Sequence, residues 1–586
     1  MNSGRVRRIA LSVSAEIPSW KISSEWQPLV QLTQAQHQAI VQDFCQWVDE
    51  LSQLNGPQKR AWWYTWLASR DQLNCAILNW WRELYCLERL LQQEAHGPCL
   101  EVRLSHALLI PTATAIAHRN GYQTRQTFAN GCAYYWARLR NLSIYIYQWL
   151  KFVYYALISY YFCCRISENR NNTVPLDVLL VSIFHGKEFD SLEYRDTYFG
   201  GFSSHLKSKE LAVATVGFCY NQPRRVLESI LHSNSPNIHP SGSQVGFLEI
   251  SRISAVILIF PFCLKLHHPK YPVFCYWGNI SDAWMYGLAM LGEATVKKLC
   301  DQQEGRLKIV QIFENNPWER CVAFAALQSK AMVDRFGFHH CAVIPFHLKN
   351  RFSPGEFDAG LIPDQLISTG VRATQALQNL SQVDIAINTG CHLRATTPIR
   401  SFEESLEAHH KSPLVVLEGL WKAIGLIAVI LLYLRRFPQE IIYVRAHPVL
   451  PLDVILEAMK ERRDNYPNLK ERRCALETDL SRASVVIYQG STVAITAAIR
   501  KIPLLHFSGN WYPTDNPLFL ASSSVKNFAG IEDLHVFLAL CRKQQLYSIS
   551  DIASIADYAE DYLRIPSKDN LDEMCNLILR NTDVVE

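Results

Sequence analysis

The stretch "YVRAHPVLPLD" (Tyr443–Asp453) decides how this chain is read. Its start has the apolar character of a buried β-strand, and that strand runs into Arg445, His447 and Pro448. In α/β proteins ligands lie beyond the carboxyl ends of parallel strands. There Arg445 can fork onto a phosphate or carboxylate, His447 can donate to a phosphoryl oxygen, and Pro448 fixes the turn. Some forty residues later "VVIYQGST" ends a second apolar strand on Gly490, Ser491 and Thr492. The glycine admits close backbone approach, the hydroxyls donate hydrogen bonds, and the start of the next helix presents free N–H groups to an anion. Alone, each motif reads equally well as a packed turn or a helix cap. Together they point to one ligand-binding edge.

Outward from that edge the chain alternates between strand and helix patterns. The C-terminal block begins near Val371 and holds "DIAIN", "PLVVLEGL", the helix "WKAIGLIAVILLYLRRF", "EIIYVRAHP", "SVVIYQG" and "IPLLHFS", with a last amphipathic helix at "LDEMCNLILR". An earlier block has the strands "LDVLLVSIF", "ELAVATVGFCY", "RLKIVQIF", "HHCAVIPF" and "DQLISTG", a helix over "PWERCVAFAALQSKAMVDRF", and "ISRISAVILIFPFCLKL" as helix or strand. Near-continuous apolar strands alternating with helices predict α/β architecture with doubly wound parallel sheets. A chain of 586 residues is too long for one core. The expected division is an N-terminal domain over 1–375, with a helical, Trp-rich insertion at about 25–170, and a C-terminal domain over 376–586.

Apolar residues make up 49% of the chain and charged residues 19%, with a net charge of +4 and no long basic run. That composition suits a folded protein and gives no reason to expect nucleic acid. The 17 cysteines lack C-x-x-C pairs or ligand spacing and read as reduced thiols of a cytoplasmic protein. The start "MNSGRVRRIALSVSAEIPSW" has too short an apolar run for a signal peptide, and "RRIALSVSAEI" reads as a first strand. The tryptophans between Leu32 and Gln93 read as core. The segment 143–164 holds the longest apolar stretch, with 13 uncharged residues from Phe152 to Cys164. A spanning helix needs about 20. Repeated tyrosines suit a membrane interface, so an in-plane membrane helix or docking surface, a buried core helix and a true span stay open.

Candidates for chemistry cluster in the first half. Glu314 follows "KIVQIF" and should face the cleft, where a carboxylate can deprotonate an acceptor hydroxyl. Glu319 sits in the first turn of the next helix, and His340 is placed to enter the cleft. Trp318 offers a flat face on which a ring-shaped ligand can stack. His185, with Glu188, follows "LLVSIF" as a second candidate base, and "RDTYFGG" supplies Asp196, Tyr198 and Gly200 for an acceptor loop. Each also has a purely structural reading, as a helix cap, a core side chain or a turn.

"YVRAHP" followed by "YQGSTVAITAAIRKIPLLHF" resembles the donor half of glycosyltransferases with two facing Rossmann-like domains, the GT-B-like fold. Within it the motifs are similar to the HP and S-T motifs of sialyl- and Kdo-transferases that use CMP-activated acidic sugars. "FENNPWERCVAFAA" and "FHHCAVIPFHLKNRF" resemble blocks of bacterial surface carbohydrate biosynthesis proteins, with "LEYRDTYFGGF", "PDQLISTG" and "TGCHLR" in the expected order. The resemblance implies a nucleotide-sugar donor held in the second domain by Arg445, His447, Pro448, Gly490, Ser491 and Thr492. It implies a glycan or lipid-linked acceptor, with Trp318, His185, Asp196 and Tyr198 around it and Glu314, Glu319 and His340 at the chemistry. No cofactor and no metal are expected, and no D-x-D motif is present. The chain departs from the pattern at Thr496, where glutamate is usual, and at His339, where glutamine is usual. Rival readings on the same fold are a sugar-nucleotide epimerase, a polyol-phosphate transferase, and a binding component without catalysis.

Overall fold

The computed structural model describes residues 7–10, 27–28 and 33–580, apart from 72–74, 76, 94–99, 126–127, 169–174, 190–193, 220–222, 234–236, 244, 260–282, 395–411, 510–513 and 522–523. Three strands, β1 (Arg7–Ala10), β2 (Gln27–Pro28) and β3 (Leu100–Arg103), form a small parallel sheet beside the N-terminal helices. The rest of the expected first strand lies outside the described residues. Helices Gln34–Asn55 and Ile77–Gln93 enclose a tryptophan core in which Trp62 and Trp63 are fully buried.

The first large sheet has seven parallel strands: β4 (Val178–Ile183), β5 (Val213–Phe218), β6 (Ile238–Pro240), β7 (Arg306–Ile312), β8 (Met332–Phe338), β9 (Gln365–Ser368) and β10 (Ala386–Thr389). Their order is β10-β9-β8-β7-β4-β5-β6. The second has six: β11 (Ser412–Val416), β12 (Ile442–Arg445), β13 (Leu469–Glu471), β14 (Ala483–Tyr488), β15 (Leu504–Phe507) and β16 (Lys526–Phe528), in the order β13-β12-β11-β14-β15-β16. Central strands such as β4 and β5 are buried along almost their whole length, which is why they read as unbroken apolar runs. The expected fold is the one found: two Rossmann-like parallel sheets with a helical, Trp-rich N-terminal region.

The strand orders place two special positions. The chain steps one way through β4, β5 and β6, then the other way through β7 to β10. The switch point lies between β4 and β7. In the second sheet it lies between β11 and β14. At such points the loops leaving adjacent strands diverge and open a crevice.

Several expectations need correction. The strand expected over "HHCAVIPF" is irregular chain that follows β8, and β8 itself takes in the "MVDRF" that was expected to end a helix. The helix there is short, Arg320–Leu327. "DIAIN" belongs to the first sheet, because β10 pairs with β9. The expected boundary at 375/376 falls inside helix Val371–Leu380. The last helix, Lys568–Leu579, returns to the first domain, where Met574, Cys575 and Ile578 enter its core and Asp572 pairs with Lys209 at 2.7 Å. The segment 143–164 lies within one helix, Phe128–Glu168, and no helix among the described residues is long and apolar enough to cross a membrane. The described cysteines are free thiols, most of them buried.

Candidate functional site

The chain leaves β4 at His185 and β7 at Glu314, on either side of the first switch point. Glu314 accepts a hydrogen bond from Lys349 Nζ at 2.9 Å and from the Cys341 thiol, and its Oε1 lies 3.1 Å from His340 Nε2. The Tyr198 ring meets His340 edge-on at 4.6 Å, and the Tyr198 hydroxyl bonds His185 Nε2 at 3.0 Å. The Arg394 guanidinium lies over the Tyr198 ring, 5.0 Å from its centroid. Four sequence candidates, Glu314, His340, His185 and Tyr198, therefore share one cluster. Lys349, Cys341 and Arg394 are its members that sequence reading missed.

The backbone holding Glu314 is unusual. Asn315 has φ +62°, a left-handed conformation uncommon for a residue with a side chain. Its amide anchors this turn by donating to Lys349 O and to Glu356, each at 3.0 Å. Glu356 in turn receives Arg70 and Arg320, so the Trp-rich helices are bolted to the turn that carries Glu314. Glu319 completes the turn. Its carboxylate accepts the backbone N–H groups of Glu314 (2.8 Å) and Asn316 (3.0 Å). Fully buried, it sets geometry rather than facing a reactant.

Charge follows from these contacts. Burial opposes ionisation of Glu314, but Lys349 and then His340 outweigh it and hold the carboxyl well below its ordinary range. Burial pushes His340 down to about 3, only partly opposed by Glu314, so its imidazole is neutral at ordinary pH and Lys349 is the cation that matters. Burial pushes Glu319 up to about 8, with the charge of Glu314 adding to the shift. The result is a carboxylate holding a neutral imidazole. If Nε2–H donates to Glu314, Nδ1 carries the lone pair. That nitrogen is buried and has no hydrogen-bond partner. Glu314, His340 and Cys341 also offer atoms within 4.8 Å of one another, an O, N, S set of the kind zinc takes. Lys349 already compensates the carboxylate there.

Three side chains expected in the cleft are buried instead. Trp318 is 1% exposed and packs on Phe218 at 4.5 Å, so it is core and cannot stack on a sugar. Asp196 is buried beneath its loop, accepting from Ser182 (3.1 Å) and from the N–H groups of Tyr198 (2.7 Å) and Phe199 (2.8 Å). It presents Tyr198 without facing the cleft itself. Glu188 is likewise buried, accepting the N–H of His185 at 2.9 Å. Gly200, at φ +52°, allows the same loop to touch the "TGCHLR" segment: a Cβ there would lie 2.1 Å from Leu393 O.

The second switch point is occupied by a polar cluster of its own. The Gly490 N–H donates to Glu418 Oε2 at 2.8 Å, bridging the ends of β11 and β14. Lys422 Nζ pairs with Asp515 at 2.7 Å and lies 3.6 Å from Glu418. Gln489 also donates to Asp515, at 2.9 Å. Ser491 is buried and Thr492 exposed at the start of helix Val493–Ile499. On the neighbouring strand His447 and Pro448 are exposed. His447 Nδ1 accepts the Val449 N–H at 3.2 Å, which leaves Nε2–H of the neutral ring to donate outward. Gly419 lies against this ring, since a Cβ there would sit 2.6 Å from Nδ1. Arg445 is placed differently from the expectation. It donates to Cys474 O at 2.7 Å and pairs with buried Asp479, which ties β12 to helix Leu476–Ser481. Glu418, Lys422 and Asp515 were not among the sequence candidates. "LEGLWK" after an apolar strand carries a readable signal for the first two, because they sit four residues apart.

Segment 339–350 forms the wall between the halves. The Phe346 N–H donates to Thr514 O at 3.0 Å, and Lys422 Nζ lies 4.5 Å from the centroid of the Phe346 ring. His347 has its pKa lowered by burial and then by the charges of Lys349, from the first cluster, and Lys422, from the second.

No protein-family model matches this chain, and no curated protein matches it. Among solved structures, the trehalose-6-phosphate phosphatase N-terminal domain of Candida albicans is similar at 12% identity over 69% of this chain and 97% of its own, with a TM-score of 0.40. MurG of Acinetobacter baumannii is similar at 12% identity over 69% and 99%, TM-score 0.36. The UDP-GlcNAc 2-epimerase of Neisseria meningitidis is similar at 11% over 69% and 98%, TM-score 0.35. Likenesses this loose carry no argument about chemistry, and the fold stands on the two strand orders.

Proposed function

We propose that this chain is a glycosyltransferase that moves a sugar from a nucleotide-activated donor to a bacterial surface polysaccharide or lipopolysaccharide glycan. The observation that carries the reading is the pair of switch-point clusters on either side of one wall, 339–350. Beside the second cluster the exposed His447 and Thr492 offer donors to a phosphate, and the first cluster offers an imidazole nitrogen to a proton.

The second domain takes the nucleotide. His447 Nε2–H, the Gly490 backbone and the Thr492 hydroxyl are the donors for its phosphate, and Gly490 N–H must first release Glu418. The resemblance to HP and S-T motifs makes a CMP-linked acidic sugar the first donor class to try. In the first domain, His340 Nδ1 must first be uncovered, and this nitrogen, with Nε2 held by Glu314, then takes the proton from the acceptor hydroxyl. The acceptor oxygen then bonds the anomeric carbon while the bond to the donor phosphate breaks, and the nucleotide leaves with the electron pair. As it rests, the buried imidazole is a weak base, and the neighbouring Glu314 carboxylate is the group that stabilises the imidazolium formed when the proton arrives. His185 and Tyr198 border the acceptor side. The acceptor is glycan or lipid-linked, reached from the cytoplasmic face of the inner membrane, and no metal takes part.

A thermal-shift series with CMP, CDP, UDP, GDP and TDP on wild type and His447→Ala tests the donor half. A nucleotide at a hundredfold excess over its Kd stabilises by about 2.7 kcal/mol, so one nucleotide should raise the melting temperature of the wild type and fail on the variant. A wild type that responds to none of them sinks the reading. Release of free nucleotide from a sugar nucleotide without any acceptor would instead favour the epimerase.

A further inference from the structure

The helix Phe128–Glu168 is apolar on two faces. Its inner face is fixed to the protein: Phe152 packs where a Cβ on Gly287 would lie 2.2 Å from its ring, and Trp149 Nε1–H donates to Ser254 O at 3.0 Å. Its outer face is also apolar, and it is open to solvent. Trp136 is 70% exposed, Tyr147 63%, Leu150 53%, Tyr154 57% and Tyr161 51%. These positions recur at helical spacing, so they form one stripe along a 41-residue helix, roughly 60 Å long at 1.5 Å per residue. Helix Phe247–Ile259 lies alongside and widens the stripe, with Phe247 6.3 Å from Tyr160 and Leu248 84% exposed.

The charges on this helix have one sign. Arg138, Arg140, Lys151 and Arg165 are its ionic residues until Glu168 at its end. Arg140, Lys151 and Arg165 are exposed among the aromatic residues. A second copy packed on this stripe would bring cations against cations. A straight line of exposed tyrosine, tryptophan and leucine, studded with cations, matches a flat surface with apolar depth and negative headgroups.

We propose that the outer face of Phe128–Glu168, with the adjoining end of Phe247–Ile259, docks in the plane of a bilayer containing anionic lipid. The surface extends well beyond the 143–164 segment, and the helix lies on the membrane without crossing it. The proposal is independent of the reaction in the cleft, because vesicle binding is measured without turnover.

The test is flotation of the full chain with phosphatidylcholine vesicles, with and without phosphatidylglycerol, together with quenching of tryptophan fluorescence by brominated lipid. Wild type should float with the anionic vesicles and be quenched. The variant W136S/Y147S/Y154S, which changes exposed residues, should keep its melting temperature and lose at least about tenfold in partitioning. The variant R140Q/K151Q should lose the preference for anionic vesicles. Wild type that neither floats nor is quenched overturns the proposal, as does a serine variant that floats as well as wild type. A wild-type dimer that the serine variant dissolves, without vesicle binding, would assign the face to a second copy instead.

Discussion

Glu319 is a carboxyl with no exposure to solvent. It caps the turn that carries Glu314, and its own pKa is pushed up to about 8. A carboxyl whose folded pKa lies above its unfolded value binds a proton on folding, so stability falls as pH rises from the ordinary carboxylate range toward 8. Glu319→Gln should flatten that decline in urea unfolding measured across this window, and an unchanged slope would show that Glu319 is ionised throughout. Glu314→Gln has the opposite profile. It removes the partner of Lys349 and the acceptor for His340, so turnover should drop by about 10²–10⁴, the usual range for a lost acid–base group, while nucleotide-induced stabilisation persists. Loss of nucleotide binding in that variant would place Glu314 with the donor. That Glu314, His340, His185 and Tyr198 would lie near one another was legible because each follows a strand-like run or a turn, while their part in a reaction belongs to the proposal. Trp318 was not, because an aromatic residue after a strand end has the same local sequence whether it faces the core or the cleft. Lys349, Lys422 and Asp515 were hidden for a different reason: their roles depend on segments far away in sequence.

At the scale of elements, the strand-to-helix turn 314–320 depends on a buried charge network. Arg320 is fully buried, pairs with Glu356 and donates to Trp63 O at 2.6 Å. Removing one partner of a buried pair strands the other charge, so Glu356→Ala should cost about 3–5 kcal/mol. Because Glu356 also holds Asn315, the loss should loosen the Glu314 turn, and hydrogen exchange at 314–320 should rise above that of the second domain. Uniform exchange in both domains would contradict this coupling. The elements misread from sequence are close to this network. "MVDRF" read as the end of a helix because Asp334 and Arg335 break its apolar run, yet Arg306 pairs with Asp334 at 2.7 Å across β7 and β8 and makes those charges compatible with a strand. "HHCAVIPF" looked like a buried strand because it is apolar, but its burial comes from the cleft wall. Most other strands were legible because a central parallel strand must be apolar on both faces.

For the whole molecule, the fold class was legible and the division into domains was not. Alternating patterns announce parallel sheets, but no local pattern says that the last helix returns to the first core, or that helix Ile549–Tyr562 before it bridges Val493–Ile499 and Val371–Leu380. That return is made by contacts such as Tyr562, whose hydroxyl accepts the Val343 N–H at 2.6 Å, and Arg564, whose N–H donates to Thr369 O at 2.9 Å. Val343 lies in the wall between the two clusters, so Tyr562 fastens the C-terminal return to the place where both half-sites meet. Tyr562→Phe keeps the ring and removes this acceptor, leaving a buried N–H without its bond at a cost of about 1–3 kcal/mol. If that contact couples the domains, the wild type should unfold in urea as one transition, whereas the variant should split into two, with the second domain and the wall reporting at different concentrations. Its nucleotide stabilisation should survive, since the donor cluster keeps its own ion pairs, while turnover should fall because the proton-accepting half is no longer held in register. A single unshifted transition in the variant would mean that the domains are joined through the rest of the return, chiefly the packing of Met574 and Ile578 in the first core.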